Sequence, residues 1–374
     1  MTPILGAAVL LAMGISPLPA ADVSAITAQL ATISSLDGKL TVLQNTATGL
    51  SDNDKAALGA ALIQSVAPAD QKEAARRVAQ ILATGSADTA IFAALLANDL
   101  PASLASSLAG SIVIGASQTD PVHLPQITAA VINANSATIA NAPGIAGEVT
   151  AAAPLSRASA IASAIGISLA GNDTLTKEAP LIATSMTREI IAKGGDITQL
   201  GKQVSDTIAA LTVLLPGSVA SNQALIVEIG RDVAAVISDQ YSSLAPAIVG
   251  VTASALRAAA GGVDVSSVIN SFSATFGDAI SDPTIKTQIT SITTAVNQGT
   301  ANIDTTAITN LLATAQSNQG GTQSPTGVSG LPGSQLPGSQ LPGSQFVFPP
   351  PAATPTPTPT PGPVNNQVTP VTNQ

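Results

Sequence analysis

The chain contains no cysteine and no tryptophan, and its 374 residues include one tyrosine, one histidine and five phenylalanines. The absence of cysteine excludes disulfides, thiolate catalysis, Cys-ligated zinc and iron–sulfur clusters. Because aromatic residues make up only 2% of the chain, Ala, Leu, Ile and Val must form most of the core. Side chains of this size at helical spacing suit helices that pack closely side by side.

Charged residues are also scarce, at 9% of the chain, where a soluble protein averages roughly 25%. The 22 acidic and 13 basic residues give a net charge of −9, and Arg76-Arg77 is the only adjacent basic pair. This balance argues against nucleic acid as a partner. The chain is nevertheless 45% hydrophobic with a mean hydropathy of +0.40, which is too apolar for wholesale disorder. Most of it is therefore predicted to fold.

Residues 1–21 resemble a secretory signal peptide. They carry no charge, have an apolar stretch over 4–15, and end in Pro17, Pro19 and the small pair Ala20-Ala21. Cleavage is predicted after Ala20 or Ala21, although the basic residues that normally precede the apolar stretch are missing. The alternative is a buried first helix. A membrane anchor is disfavoured because the stretch is shorter than about 20 residues.

Residues 318–374 form a predicted low-complexity tail without a charged residue. The motif LPGSQ occurs three times over 331–345, and four Thr-Pro pairs follow over 354–361. Alternating Thr-Pro favours extended polyproline II, which cannot bury a core. The tail is therefore predicted to be a disordered, semi-rigid stalk, with O-glycosylation of the Thr-Pro run or docking to a proline-recognition groove as alternatives.

Residues 22–317 form a predicted body in which one helix follows another. Ser51 and Asp54 open one helix, and Asp70 precedes Glu73 at the spacing of a capping box before Gly85 ends the next. Asp196 with Gln199 opens the longest apolar stripe. The stripes at helical spacing are Leu58/Leu62/Ile63/Val66, Leu104/Leu108/Ile112, Ile182/Met186/Ile190, Leu200/Val204/Ile208/Leu211/Leu215, Leu225/Ile229/Val233/Val236, Val268/Phe272/Phe276 and Ile285/Ile289/Ile292/Val296.

The fold class predicted from these patterns is all-α. No stretch shows the two-residue alternation of a strand, and helix-ending Pro and Gly residues recur about every twenty residues. Such punctuation is typical of stacked helical hairpins, each of which buries its apolar face only against a neighbour. An Ala-rich, irregular α-solenoid is therefore favoured over a closed bundle. The uncharged windows contain too many prolines and polar residues to span a membrane, so the body is predicted to have no stable span.

No residue of the chain is predicted to be catalytic or to bind a metal or a cofactor. His123 lies in a proline-bounded turn, and a lone histidine makes neither a zinc site nor a Ser-His-Asp set without a recognisable nucleophile. The chain has five glutamates, and they are scattered one to a helix or loop, at Glu73, Glu148, Glu178, Glu189 and Glu228.

Two further patterns resemble binding sites, but a structural role explains each of them better. Asp52-Asn53-Asp54 resembles the start of a calcium loop, but position five is Ala56 and position six is not glycine, so a role at a helix start is preferred. Phe272 and Phe276 are predicted to be core residues, with the wall of an apolar pocket as the alternative. Phosphate-binding glycine motifs are absent from the sequence.

The sequence favours a non-enzymatic structural or interaction protein, exported to the cell envelope or the extracellular space. Its expected partner is another protein or a cell-surface component. The alternative is an extracytoplasmic binder of apolar small molecules or lipid, which requires a contiguous apolar cavity of ~300–1,000 Å³ between helices. An enzyme that uses carboxylates alone would require two acidic residues converging in one cleft.

Overall fold

The computed structural model describes residues 23–238, 240–301 and 303. Over these residues the chain forms 17 α-helices and four short 3₁₀ helices, and no strand occurs, which confirms the all-α prediction. The predicted leader and the predicted tail lie outside the described residues. The helices are α1 Val23–Thr32, α2 Leu36–Thr46, α3 Asp52–Gln64, α4 Gln71–Ala83, α5 Thr89–Asp99, α6 Ala102–Ser117, α7 Leu124–Ile132, α8 Ser136–Ala140, α9 Ala142–Ala152, α10 Ala158–Leu169, α11 Asp173–Lys177, α12 Ala179–Ala192, α13 Ile197–Val213, α14 Gln223–Ile237, α15 Ala245–Ala259, α16 Ser266–Ala279 and α17 Pro283–Gln298.

The helices form two layers, and the chain passes from one layer to the other at nearly every connection. Layer A contains α2, α4, α6, α9, α12, α14 and α16, and layer B contains α1, α3, α5, α7, α10, α13, α15 and α17. Each helix packs chiefly on the helices before and after it in its own layer. The first three described helices make no extensive contact with the last three. This is the predicted α-solenoid of helical hairpins.

Most of the predicted helix starts and ends are observed. The Asp196 side chain accepts a hydrogen bond from the Gln199 backbone N–H at 3.2 Å, and Ser51 accepts one from the Asp54 N–H at 3.2 Å. These side chains satisfy N–H groups that the helix itself leaves without a partner. Gly85 follows α4 with φ at +79°, a left-handed conformation that glycine adopts without strain and that reverses the chain.

The capping box predicted at Asp70 and Glu73 is wrong. Asp70 closes the 3₁₀ helix Pro68–Asp70 and has helical backbone angles, so its side chain accepts no hydrogen bond from the first turn of α4. Glu73 instead pairs with Arg76, at 2.7 Å between Oε1 and Nη2 and 3.0 Å between Oε2 and Nε. A preceding 3₁₀ turn therefore replaces the side-chain cap at this helix.

Four of the predicted stripes contain half-buried residues, and the two with more than one such residue are in α14 and α17. In α14 the structure buries Ile226 and Ile237, while Leu225 and Val236 are half-buried. The shift arises because α14 packs between α12 and α16, so the apolar face must serve neighbours on two sides. In α17 the predicted Ile289 and Val296 are buried, but Ile285 and Ile292 are half-buried because this helix is the last described member of layer B.

Glycines inside helices bring some neighbouring helices closer than alanine would permit. A β-carbon at Gly115 in α6 would collide with the backbone carbonyl of Arg76 in α4. A β-carbon at Gly230 in α14 would lie 2.8 Å from Cδ2 of Phe272 in α16. Close packing was predicted from alanine alone, so glycine is an additional means of achieving it.

One described stretch, Ser242–Ala259, is long and apolar enough to cross a membrane by length and composition. It comprises a 3₁₀ turn and α15, and 67% of its residues are buried within the array. Neighbouring helices of the solenoid therefore account for its apolar character. This agrees with the prediction that the body has no stable membrane span.

Candidate functional site

His123 lies in an exposed connection, as predicted. It ends the 3₁₀ helix Pro121–His123, and its Nδ1 lies 2.8 Å from both carboxylate oxygens of Asp120. Among the hydrogen bonds of the described residues, none joins the other ring nitrogen to a serine. His123 and Asp120 therefore correspond to two members of a Ser-His-Asp arrangement, but no nucleophilic serine is bonded to His123 among the described residues.

The five glutamates remain on separate elements. Glu148 accepts a hydrogen bond from the Ser111 hydroxyl at 3.2 Å, and its Oε1 lies 3.8 Å from Nζ of the exposed Lys72. Glu73 is engaged by Arg76, a contact whose hydrogen bond lowers the pKa of the Glu73 carboxyl. No group of three or more His, Asp and Glu side chains that could hold a metal ion occurs among the described residues.

The other residues identified from sequence have structural partners. Asp52 and Asp54 lie in the first turn of α3, where the Ser51 hydroxyl donates to Asp54 Oδ2 at 2.6 Å. Phe272 and Phe276 are fully buried, with ring centroids 5.3 Å apart, so the prediction of core residues is confirmed. The Arg76-Arg77 pair is divided between two partners: Arg77 Nη1 lies 2.6 Å from Asp37 Oδ1, and Arg76 contacts Glu73.

A cleft of about 650 Å³ opens at the C-terminal end of the described array, between the end of α15, the start of α16 and the end of α17. We call it the C-terminal cleft. Gly261 and Gly262 adopt positive φ angles of +58° and +94° and turn the chain between α15 and α16. Its lining includes Ser254, Arg257, Val263, Asp264, Ser266, Ile269, Asn297 and Ile303.

Arg257 is held in this cleft by the last turn of α17. Its Nη1 donates to the carbonyl oxygen of Val296 and, at 2.5 Å, to that of Asn297. A cation at the C-terminus of a helix satisfies carbonyl groups and interacts favourably with the helix dipole. Gly299 follows the last residue of α17 and ends this helix in a left-handed conformation, with φ at +72°.

Asp264 supplies the opposite charge in the same cleft. Its Oδ1 accepts a hydrogen bond from the Ser266 backbone N–H at 2.9 Å. Hydrogen bonds from the hydroxyl and the N–H of Ser266, assisted by the positive charge of Arg257, lower the pKa of the Asp264 carboxyl. The carboxylate is therefore ionised at neutral pH, and the described residues of the cleft supply one cation and one anion.

A second depression, of about 570 Å³, lies between α3 and α5, and we call it the α3–α5 groove. Ala57, Ala60 and Ala61 line it together with Gln64, Ser65 and Asp99. Partial burial raises the pKa of the Asp99 carboxyl, since desolvation disfavours its charged form. Among the described residues that line them, the groove and the C-terminal cleft each have a single acidic residue, so these residues do not bring together the two carboxylates that carboxylate catalysis would require.

The C-terminal cleft has the volume expected for a ligand site, but its lining is mixed. Charged and hydroxyl groups share it with aliphatic side chains, whereas a lipid binder requires a contiguous apolar wall. The sequence did not indicate Arg257 or Asp264 as site residues. The available signal was local: Asp264 stands two residues before Ser266, just after the turn-forming Gly261-Gly262.

No protein-family model matches the chain, and no curated protein is detectably similar to it.

Proposed function

We propose that the protein is an exported, non-enzymatic scaffold that presents its helical body to a protein or cell-surface partner. The observation that carries the proposal is the open two-layer array, in which helices pack mainly on their neighbours. This arrangement produces long lateral faces. Solenoid proteins use such extended surfaces for binding.

The distribution of charge supports recognition through neutral groups. The fifteen stacked helices carry eleven acidic and ten basic residues, so the two layers are nearly neutral. The described connections carry seven acidic and two basic residues, because several aspartates cap helix starts. The negative charge is thus concentrated at the edges of the array, and a partner on a lateral face would meet mainly small and hydroxyl-bearing side chains.

The outer face of α17 illustrates such a surface. Thr287, Thr290 and Thr294 are exposed on it, and each hydroxyl donates to the carbonyl oxygen four residues earlier, at 2.8–3.0 Å. These bonds leave lone pairs of each hydroxyl oxygen available to a partner.

Export is tested by fractionating cells that express the full chain and determining the mature mass. We expect the protein outside the cytoplasm, beginning at Ala21 or Asp22. Recovery in the cytosol with residues 1–20 intact would contradict export.

The scaffold role is tested separately by photo-crosslinking in the native host. A crosslinking residue at the exposed Ser107 of α6 should give discrete adducts with a partner, and one at the buried Ile112 of the same helix should give none. Further positions along both layers extend the scan. If exposed positions on neither layer gave adducts above the Ile112 control, the scaffold proposal would be wrong even for an exported protein.

A further inference from the structure

The C-terminal cleft joins a fixed guanidinium and a carboxylate within one cavity of about 650 Å³. We propose that this cleft binds a short zwitterionic peptide, with the peptide carboxylate at Arg257 and the peptide ammonium at Asp264. The inference does not depend on the scaffold role or on export, because it concerns the chemistry of the cleft alone.

Arg257 retains donors for a carboxylate. A guanidinium has five N–H groups, and the two hydrogen bonds that the structure shows both leave from Nη1. Among the described residues, no hydrogen bond uses Nε or Nη2. That edge of the guanidinium matches the two oxygens of a carboxylate, and the carbonyl groups of α17 hold the side chain in place before a ligand arrives.

Asp264 retains acceptors for an ammonium. The N–H and the hydroxyl of Ser266 both donate to the carboxylate, and an ionised carboxylate accepts up to about four hydrogen bonds. The group is exposed, so a ligand can approach it directly. An anionic ligand would be attracted by Arg257 but repelled by Asp264, and a cationic ligand would be attracted by Asp264 but repelled by Arg257. A zwitterion can pair with both residues.

The remaining lining favours an aliphatic peptide over other zwitterions or sugars. Val263, Ile269 and Ile303 provide apolar contacts, and Val263 is 66% exposed, so a ligand can reach its side chain. Among the described residues that line the cleft, none is an aromatic on which a sugar or a nucleobase would stack. The hydroxyl of Ser254 supplies hydrogen bonds for peptide groups.

The test is calorimetric titration of the purified full chain with trialanine, and with the same peptide blocked by N-acetylation, by C-amidation or at both ends. We expect trialanine to bind, and each block to weaken binding about tenfold or more, because each removes a charge-assisted contact. Failure of trialanine to bind the folded protein, or equal affinity for the free and doubly blocked peptides, would overturn the proposal.

Two variants locate the site. Asp264→Asn removes the charge while keeping an oxygen for the Ser266 N–H, so free and N-acetylated trialanine should bind it alike. Its matched control is Asp282→Asn at the start of α17, where the residue caps a helix outside the cleft, and binding should be unchanged. If Asp264→Asn bound all probes as the wild type does, the peptide would occupy another site and the assignment would be wrong.

Arg257→Lys tests the contact proposed for the peptide carboxylate. It preserves the positive charge but not the planar fork, so it should weaken binding of free trialanine and leave the C-amidated peptide unaffected. Thermal unfolding of this variant shows whether α17 stays docked. A folded Arg257→Lys protein with full affinity for free trialanine would contradict the role assigned to Arg257.

Discussion

The ammonium group of Lys39 in α2 donates to Ser65 at the end of α3, at 2.6 Å to its hydroxyl oxygen and 3.2 Å to its carbonyl oxygen. Lys55 in α3 donates similarly to the carbonyl of Gly85 after α4, at 3.1 Å, and Lys193 to that of Ala151 in α9, at 2.6 Å. Several of the few basic residues thus satisfy carbonyl groups at the end of a neighbouring helix. They connect neighbouring helices of the array, and the two buried ones, Lys39 and Lys55, are not available to a polyanion.

Replacing Lys39 tests this arrangement. Lys39 is only 4% exposed, and Lys39→Met keeps its length while removing the donors to Ser65. Because hydrogen bonds from charged groups are worth about 1.5–3 kcal/mol, we expect the free energy of unfolding to fall by about 1–3 kcal/mol. Lys177→Met on the exposed surface of α11 is the control and should change it by less than about 0.5 kcal/mol. Urea unfolding measures both; equal stability of the Lys39 variant and the control would contradict the prediction.

The close approach of α4 and α6 is tested at Gly115. In Gly115→Ala the new methyl group meets the Arg76 carbonyl, so the two helices must move apart, and we expect a loss of about 1–3 kcal/mol. Gly171→Ala places the same methyl group where no atom lies within 4 Å, and it should be neutral or slightly stabilising. Denaturation midpoints followed by circular dichroism compare the two. A Gly115→Ala protein as stable as the Gly171→Ala protein would show that this contact is looser than described.

The raised pKa of Asp99 predicts how the stability of the protein depends on pH. Its folded-state pKa is raised by burial, so the folded protein binds the proton more tightly than the unfolded chain does, and stability falls as pH rises from the unfolded pKa through the folded one. Its position in the last turn of α5 also places a negative charge at the unfavourable end of the helix dipole.

Asp99→Asn should therefore stabilise the protein at pH 7 by a few tenths of a kcal/mol, since the side chain remains largely solvent-screened. The difference should disappear near pH 3, where the wild-type carboxyl is protonated. Urea midpoints of both proteins at the two pH values check this. A variant that is less stable at pH 7, or a gain that persists at pH 3, would show that the charge of Asp99 is not the cause.

Local signals predicted much of the fold because they act within one turn of the chain. The Asp196 cap and the glycine after α4 are examples, and the fully buried Phe272 and Phe276 followed from helical spacing. Whether Ile226 or Leu225 is buried depends instead on which helices flank α14. That information is not local, so the sequence pattern alone placed Leu225 at the centre of the apolar face, whereas the structure places it at the edge of that face and buries Ile226.

The C-terminal cleft was not predictable for the same reason. Arg257 and Asn297 are far apart in sequence, and they meet only because α15 and α17 are neighbours in layer B. A single arginine near a helix end and a single aspartate after a turn are each ordinary surface residues. Arg257 and Asp264 lie close in sequence, on either side of the Gly261-Gly262 turn, but the cavity that both line exists only because α17 packs against α15.

The two aspartates predicted to start helices differ in the structure, and their removal should differ as well. The Asp196 carboxylate accepts a hydrogen bond from Gln199 N–H, so Asp196→Ala leaves that donor to water and should cost about 0.5–2 kcal/mol. Asp70 makes no such bond, and Asp70→Ala should lose only its weaker interaction with the dipole of α4, about 0.3–1 kcal/mol at low ionic strength.

Salt separates the two contributions, because the dipole interaction is screened and a backbone hydrogen bond is not. Raising the ionic strength should therefore reduce the effect of Asp70→Ala towards zero while most of the Asp196→Ala effect remains. Thermal unfolding of both variants at low and high salt measures this. If Asp70→Ala cost as much as Asp196→Ala at high salt, Asp70 would be a true side-chain cap, and the 3₁₀ turn over Pro68–Asp70 would not be what replaces the predicted capping box.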